Sequence, residues 1–134
     1  MNNKVVVFFT IKTPEDKLSK LVQAAHFHFS KKEKLLFFVK DDMTAKFVDD
    51  LLWKIPEESC LPHGIEDFSY TVIISKDLPV TLPSYVFNLT IEPLLSASCK
   101  RIYELEDTSS PQKKEISQKK FYAYKEKGFL IESR

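Results

Sequence analysis

Two apolar runs, each leading into a helix start, constrain this chain more than any other feature. Lys4–Ile11 (KVVVFFTI) is continuous, β-branched and aromatic, which predicts a strand buried on both faces. Thr13 then offers an N-cap, Pro14 suits the first helical position, and Glu15 and Asp16 fill the first turn. Leu18, Leu21, Val22, Ala25 and Phe29 form the stripe of a helix packed on a sheet. After a charged turn at Lys31–Lys34 the pattern repeats. Leu35–Val39 (LLFFV) predicts a second buried strand. Asp41 and Asp42 cap a helix that carries Met43, Phe47, Val48, Leu51 and Leu52. Strand, helix, strand, helix at this pitch predicts an α/β fold with a parallel sheet and right-handed crossovers, in one domain spanning 1–134.

The remainder is less regular. Pro56 and Pro62 bar a regular helix or a central strand between Trp53 and Gly64. Tyr70–Ser75 and Tyr85–Thr90 predict two further strands, with a Pro-containing loop at Asp77–Ser84 between them. Pro93, Leu94 and Leu95 predict a short helix reaching Cys99. Arg101–Leu105 (RIYEL) alternates polar and apolar, which predicts a last strand at a sheet edge. Asp107–Pro111 is a turn and helix start. A helix follows over about 112–128, stopped at Gly128.

Glycine is scarce, and that excludes whole classes of enzyme. Only Gly64 and Gly128 are present, so there is no GxGxxG turn, no phosphate-cradling P-loop and no GxSxG elbow. An α/β domain of this kind has no nucleotide site, and no cofactor is expected. A net charge of +1 is far from the strongly basic balance of a dedicated duplex binder. No apolar run approaches the ~20 residues of a membrane span. The start, MNNKVVVFFTIK, reads as a strand and not as a signal peptide. Cys60 and Cys99 lack CxxC spacing, and reduced thiols in a cytoplasm are expected.

Candidate chemistry is thin. His26 and His28 stand two residues apart, so on a helix they diverge and do not share a metal. Cys60 and His63 suggest a nucleophile and base, but no third orienting group stands at readable spacing, and a structural or contact role is favoured. The carboxylate pairs Asp41-Asp42, Asp49-Asp50 and Glu57-Glu58 read as a cap, a polar helix face and a loop. Trp53, Pro56, Leu61 and Pro62 form either plain core or an exposed anchor for a partner, since Trp is favoured in interface hot spots.

The last helix is different. Residues 112–129 (QKKEISQKKFYAYKEKGF) sum to +4, while residues 1–111 sum to −3. Lys114, Gln118, Phe121 and Lys125 recur at i, i+4, i+7 and i+11 and share one face. A ring flanked by ammonium groups suits an acidic peptide that ends in an apolar side chain. It also suits a nucleic-acid backbone. A solvated helix with its rings in the core has the same pattern.

Two stretches together resemble the chi subunit of bacterial DNA polymerase III. Leu52-Trp53-Lys54-Ile55-Pro56-Glu57-Glu58-Ser59-Cys60-Leu61-Pro62-His63 is similar to that family's LW-x-x-P-x-x-S-[F]-x-P-H segment. Lys120-Phe121-Tyr122-Ala123-Tyr124-Lys125-Glu126-Lys127-Gly128-Phe129 is similar to its closing helix. Order and length also agree, so the resemblance covers nearly the whole chain. It implies a Rossmann-like three-layer α/β sandwich without a nucleotide. It further implies a non-catalytic, cytoplasmic accessory subunit of the clamp loader. Such a subunit binds the acidic C-terminal tail of single-strand-binding protein and pairs with the psi subunit or an XPD-like helicase. The implied tail pocket is Lys114, Gln118, Phe121, Tyr122 and Lys125. The implied psi or helicase surface is Trp53, Pro56, Cys60, Leu61, Pro62 and His63. Gln118 stands where the family usually has Arg, Tyr122 where it has a basic residue, and Cys60 where it often has Phe. Direct binding of single-stranded nucleic acid by the basic aromatic helix is the alternative reading.

Overall fold

A computed structural model describes residues 4–54, 61–95 and 98–134. The chain alternates as expected at first: β1 (Val5–Ile11), α1 (Pro14–Ser30), β2 (Leu35–Phe38) and α2 (Asp42–Lys54). Then come β3 (His63–Ile65), β4 (Val72–Ser75), β5 (Tyr85–Asn88), β6 (Arg101–Asp107), α3 (Pro111–Glu126) and β7 (Leu130–Ser133). The strands form one seven-stranded sheet in the order β3-β4-β2-β5-β6-β1-β7. Every described pairing is parallel. The fold is an α/β three-layer sandwich of the Rossmann-like kind.

Period-two alternation divides the sheet residues between two cores. On one face Val7, Leu35, Phe37, Phe87 and Tyr103 meet Leu21, Ala25, Val48 and Leu52 of α1 and α2. On the other, Val6, Phe8, Leu36, Ile73, Val86 and Ile102 meet Tyr124 of α3 together with Phe129 and Leu94. The predicted start of α1 is in place. Thr13 Oγ1 accepts from Asp16 N at 3.1 Å and the Asp16 carboxylate accepts from Thr13 N at 3.3 Å, so two free N–H groups are satisfied reciprocally. Asp41 caps α2 by accepting from Thr44 N at 2.8 Å. Ser110 caps α3, and Gly128, at φ 89°, takes the left-handed turn that sends the chain into β7.

Several expectations are corrected. Arg101–Leu105 does not lie at an edge. It belongs to β6, which is hydrogen-bonded to β5 on one side and β1 on the other. Its alternation misleads because Glu104, which reads as a solvent position, is completely buried. Among the described residues no helix forms from Pro93 toward Cys99. β3 lies at the end of the stretch expected to be irregular, and β7 adds an unexpected edge strand. The strand expected from Tyr70 begins at Val72. In α2 the buried stripe is Ala45, Val48, Leu51 and Leu52, while Met43 and Phe47 face solvent.

His28 has a structural role. Its Nε2 lies 2.6 Å from Tyr103 Oη and its Nδ1 lies 3.1 Å from Glu33 Oε1, so the neutral ring donates to the carboxylate and accepts from the phenol. Burial holds its pKa below the ordinary 6.5, against the opposing pull of Glu33. The unfolded chain takes up that proton first, so stability is lost as pH falls below 6.5 toward the folded value. Thermal melts across this window have an acid limb with a slope of at most about 1.4 kcal/mol per pH unit from this group. His28→Gln flattens it.

Candidate functional site

The basic helix presents its cations in two different states. Lys114, Gln118 and Lys125 are exposed, Tyr122 is 62% exposed, and Phe121 is half-buried between them. The Phe121 ring packs against Phe8 of β1 with centroids 5.9 Å apart, and Tyr122 stands edge-on to it at 5.7 Å. The five side chains expected in a tail pocket therefore lie on the outer side of α3, with the aromatic ring rooted in the core and three polar or charged groups exposed beside it. Lys119 pairs on the surface with Glu115 at 3.4 Å, and Lys113 with Asp107 at 3.7 Å.

Lys120 points the other way. Its ammonium is buried, donating to Glu104 Oε1 at 2.8 Å and to the Thr90 carbonyl. Glu104 Oε2 accepts from Tyr124 Oη at 2.6 Å and from Asn88 Nδ2 at 2.8 Å. Tyr124 Oη in turn accepts from Leu94 N at 2.9 Å. Burial pushes the Glu104 carboxyl above its usual range, and Lys120 with the two neutral donors opposes this. The network ties α3 to β5, β6 and the crossover after β5. Since Lys120 and Tyr124 flank Phe121 and Tyr122 in sequence, it also fixes which face of α3 turns outward. Sequence reasoning missed it. The available signals were a Glu within an apolar strand run, and a Lys and a Tyr at i, i+4 on a helix face turned away from the cationic one.

The second candidate surface divides as well. Trp53 lies in the last turn of α2, is 49% exposed, and sets its ring 4.4 Å from that of His63 at a 45° tilt. Pro62 is exposed, whereas Leu61 is 1% and His63 5% exposed. Both ring nitrogens of His63 are engaged: Nδ1 with the Leu61 carbonyl and Nε2 with Asp49 Oδ1, each at 2.8 Å. Leu61 and His63 thus hold this corner together from below, and Trp53 and Pro62 form its surface. Pro56, Cys60 and the Glu57-Glu58 pair lie outside the described residues. Asp49, expected on a plain polar face, anchors His63, which leaves no free ring nitrogen to act as a base. Burial raises the Cys99 thiol to about 11, so it is no nucleophile at neutral pH.

Among the described residues no group of His, Cys, Asp and Glu is placed to hold a metal. Among the described residues no helix is long and apolar enough to cross a membrane.

No curated protein matches the chain. The family model of the DNA polymerase III chi subunit, HolC, matches residues 4–132, which include the α3 face and the Trp53 corner. Matched over all but its first three and last two residues, the chain belongs to the chi subunit family, an accessory subunit of DNA polymerase III.

Proposed function

We propose that this chain is a non-catalytic subunit of the clamp loader that tethers the polymerase to single-strand-binding protein by taking that protein's acidic C-terminal tail on α3. The observation that carries the reading is the half-buried Phe121 ring set among exposed Lys114, Gln118, Tyr122 and Lys125. A tail rich in Asp and ending in Phe matches it part by part. The terminal ring packs on Phe121, and the lysines face the carboxylates. Exposed ion pairs contribute only ~0–1 kcal/mol each, so the ring contact and the terminal carboxylate dominate affinity while the lysines speed association. Titration with a fluorescent Asp-rich peptide tests this. Binding requires the terminal Phe, is lost when the peptide ends in Ala, and weakens with salt.

The psi subunit or an XPD-like helicase is proposed to dock on the Trp53 corner, contacting Trp53 and Pro62 directly, with Leu61 and His63 supporting them. Trp53→Ala leaves the thermal midpoint within a few degrees, because half of the ring is already in solvent. It abolishes co-purification with psi. A large fall in the midpoint would place Trp53 in the core instead.

A further inference from the structure

A second cationic and aromatic surface lies away from α3, where α1 runs over β1 next to the edge strand β7. Phe9, Lys20, Gln23, Phe27 and Arg134 line a hollow of about 230 Å³ there. Phe27 is 51% exposed, and the Lys31 ammonium sits over its ring at 5.0 Å. The Lys20 ammonium sits over the Phe9 ring at 5.5 Å. Phe27 stands open and Phe9 is half-buried against Phe87 and Tyr103, and each ring has its own cation. Among the described residues no Asp or Glu lines the hollow; the Arg134 guanidinium pairs with Glu132 Oε2 at 3.2 Å, so Lys20 and Lys31 carry the positive charge.

We propose that this groove binds single-stranded nucleic acid. A base stacks on Phe27 at the mouth of the hollow. The Gln23 amide is placed to bond a base edge, and Lys20 and Lys31 swing from the rings to the phosphates. At 1.5 Å rise per residue Lys20 within α1 and Lys31 at its C-cap stand about 16 Å apart, a span that follows a strand backbone over several nucleotides. An acidic peptide would meet the same charge, but it makes no use of two separate rings each with a cation in reach. Stacking on aromatic rings is tolerant of sequence because every base has a π-face. This surface is separate from the α3 face, so the proposal stands or falls independently of the tail reading.

The test is fluorescence anisotropy of the full chain with a labelled oligothymidine of about 16 nucleotides, between about 50 and 200 mM salt. The expected result is salt-sensitive binding that Phe27→Ala weakens roughly tenfold. Lys20→Ala with Lys31→Ala lowers the slope of log affinity against log salt by about 1.4, as two lost phosphate contacts to a single strand would. All three side chains are exposed enough for the variants to fold, which circular dichroism verifies. Absence of binding at the lowest salt overturns the proposal. So does binding that ignores these variants and responds to Lys114→Ala with Lys125→Ala, which assigns the strand to α3. Capture of an acidic peptide in place of the oligonucleotide, with the same dependence on Phe27, overturns it as well.

Discussion

Replacing Glu104 with Ala lowers stability by about 3–5 kcal/mol, the cost of leaving a buried charge without its partner. The variant leaves the Lys120 ammonium with the Thr90 carbonyl but no counter-charge among the described residues, and it deprives Tyr124 and Asn88 of their shared acceptor. In a chain of 134 residues the midpoint of thermal unfolding falls by roughly 10–20 °C. The pair is not thereby a strong source of stability. Taking two ions out of water offsets most of their attraction, so replacing both with apolar groups is far milder than replacing one. Glu104→Leu combined with Lys120→Met is therefore expected to recover most of the loss, and the two single effects do not add. Additive effects would mean that the two side chains act separately and that α3 is held by its apolar contacts alone.

That network also marks where sequence reading failed. The runs in β1 and β2 were legible because strands covered on both faces need unbroken apolar stretches. α1 and α2 were legible from caps at Thr13 and Asp41, and α3 from the turn at Asp107–Pro111 and the stop at Gly128. β6 was not, because a buried Glu is written with the same letter as an exposed one, and its partner Lys120 lies sixteen residues away in the chain. β7 (LIES) is a short edge strand with only Ile131 turned toward a core, too weak a pattern to read. β3 contains Gly64, which carries no strand signal, and its position depends on the close approach of Tyr70, 2.5 Å from where a Cβ would sit.

The candidate sites were legible to different degrees. The helical spacing of Lys114, Gln118, Phe121 and Lys125 was enough to place them on one side of α3, because α3 is a regular helix from Pro111 to Glu126. The Trp53 corner was legible as a motif but not as a geometry. Which of its residues face solvent depends on His63 folding back to Asp49, a contact across fourteen residues that no local pattern encodes.

Substitution of Phe121 has the second large expected effect. The ring has one side on Phe8 and the other toward solvent, so it is both a small part of the core and the apolar floor of the proposed tail site. Hot-spot rings at interfaces contribute about 2 kcal/mol or more when truncated. Loss of the terminal ring's partner acts mainly on dissociation, whereas loss of Lys114 or Lys125 acts mainly on association and its salt dependence. Gln118→Arg restores a cation on the same face and is expected to tighten binding modestly at low salt, since an exposed charge contributes ~0–1 kcal/mol.

On the proposed function, α3 receives an acidic, Phe-ended tail. The direct measurement is titration of a fluorescent peptide of that kind into the wild-type chain and into the Lys114→Ala, Phe121→Ala double variant, with thermal melts to verify that both are folded. The predicted result is a loss of about 30-fold or more in affinity in a variant that still melts cooperatively. Unchanged affinity in the folded double variant would contradict the assignment of the tail to this helix.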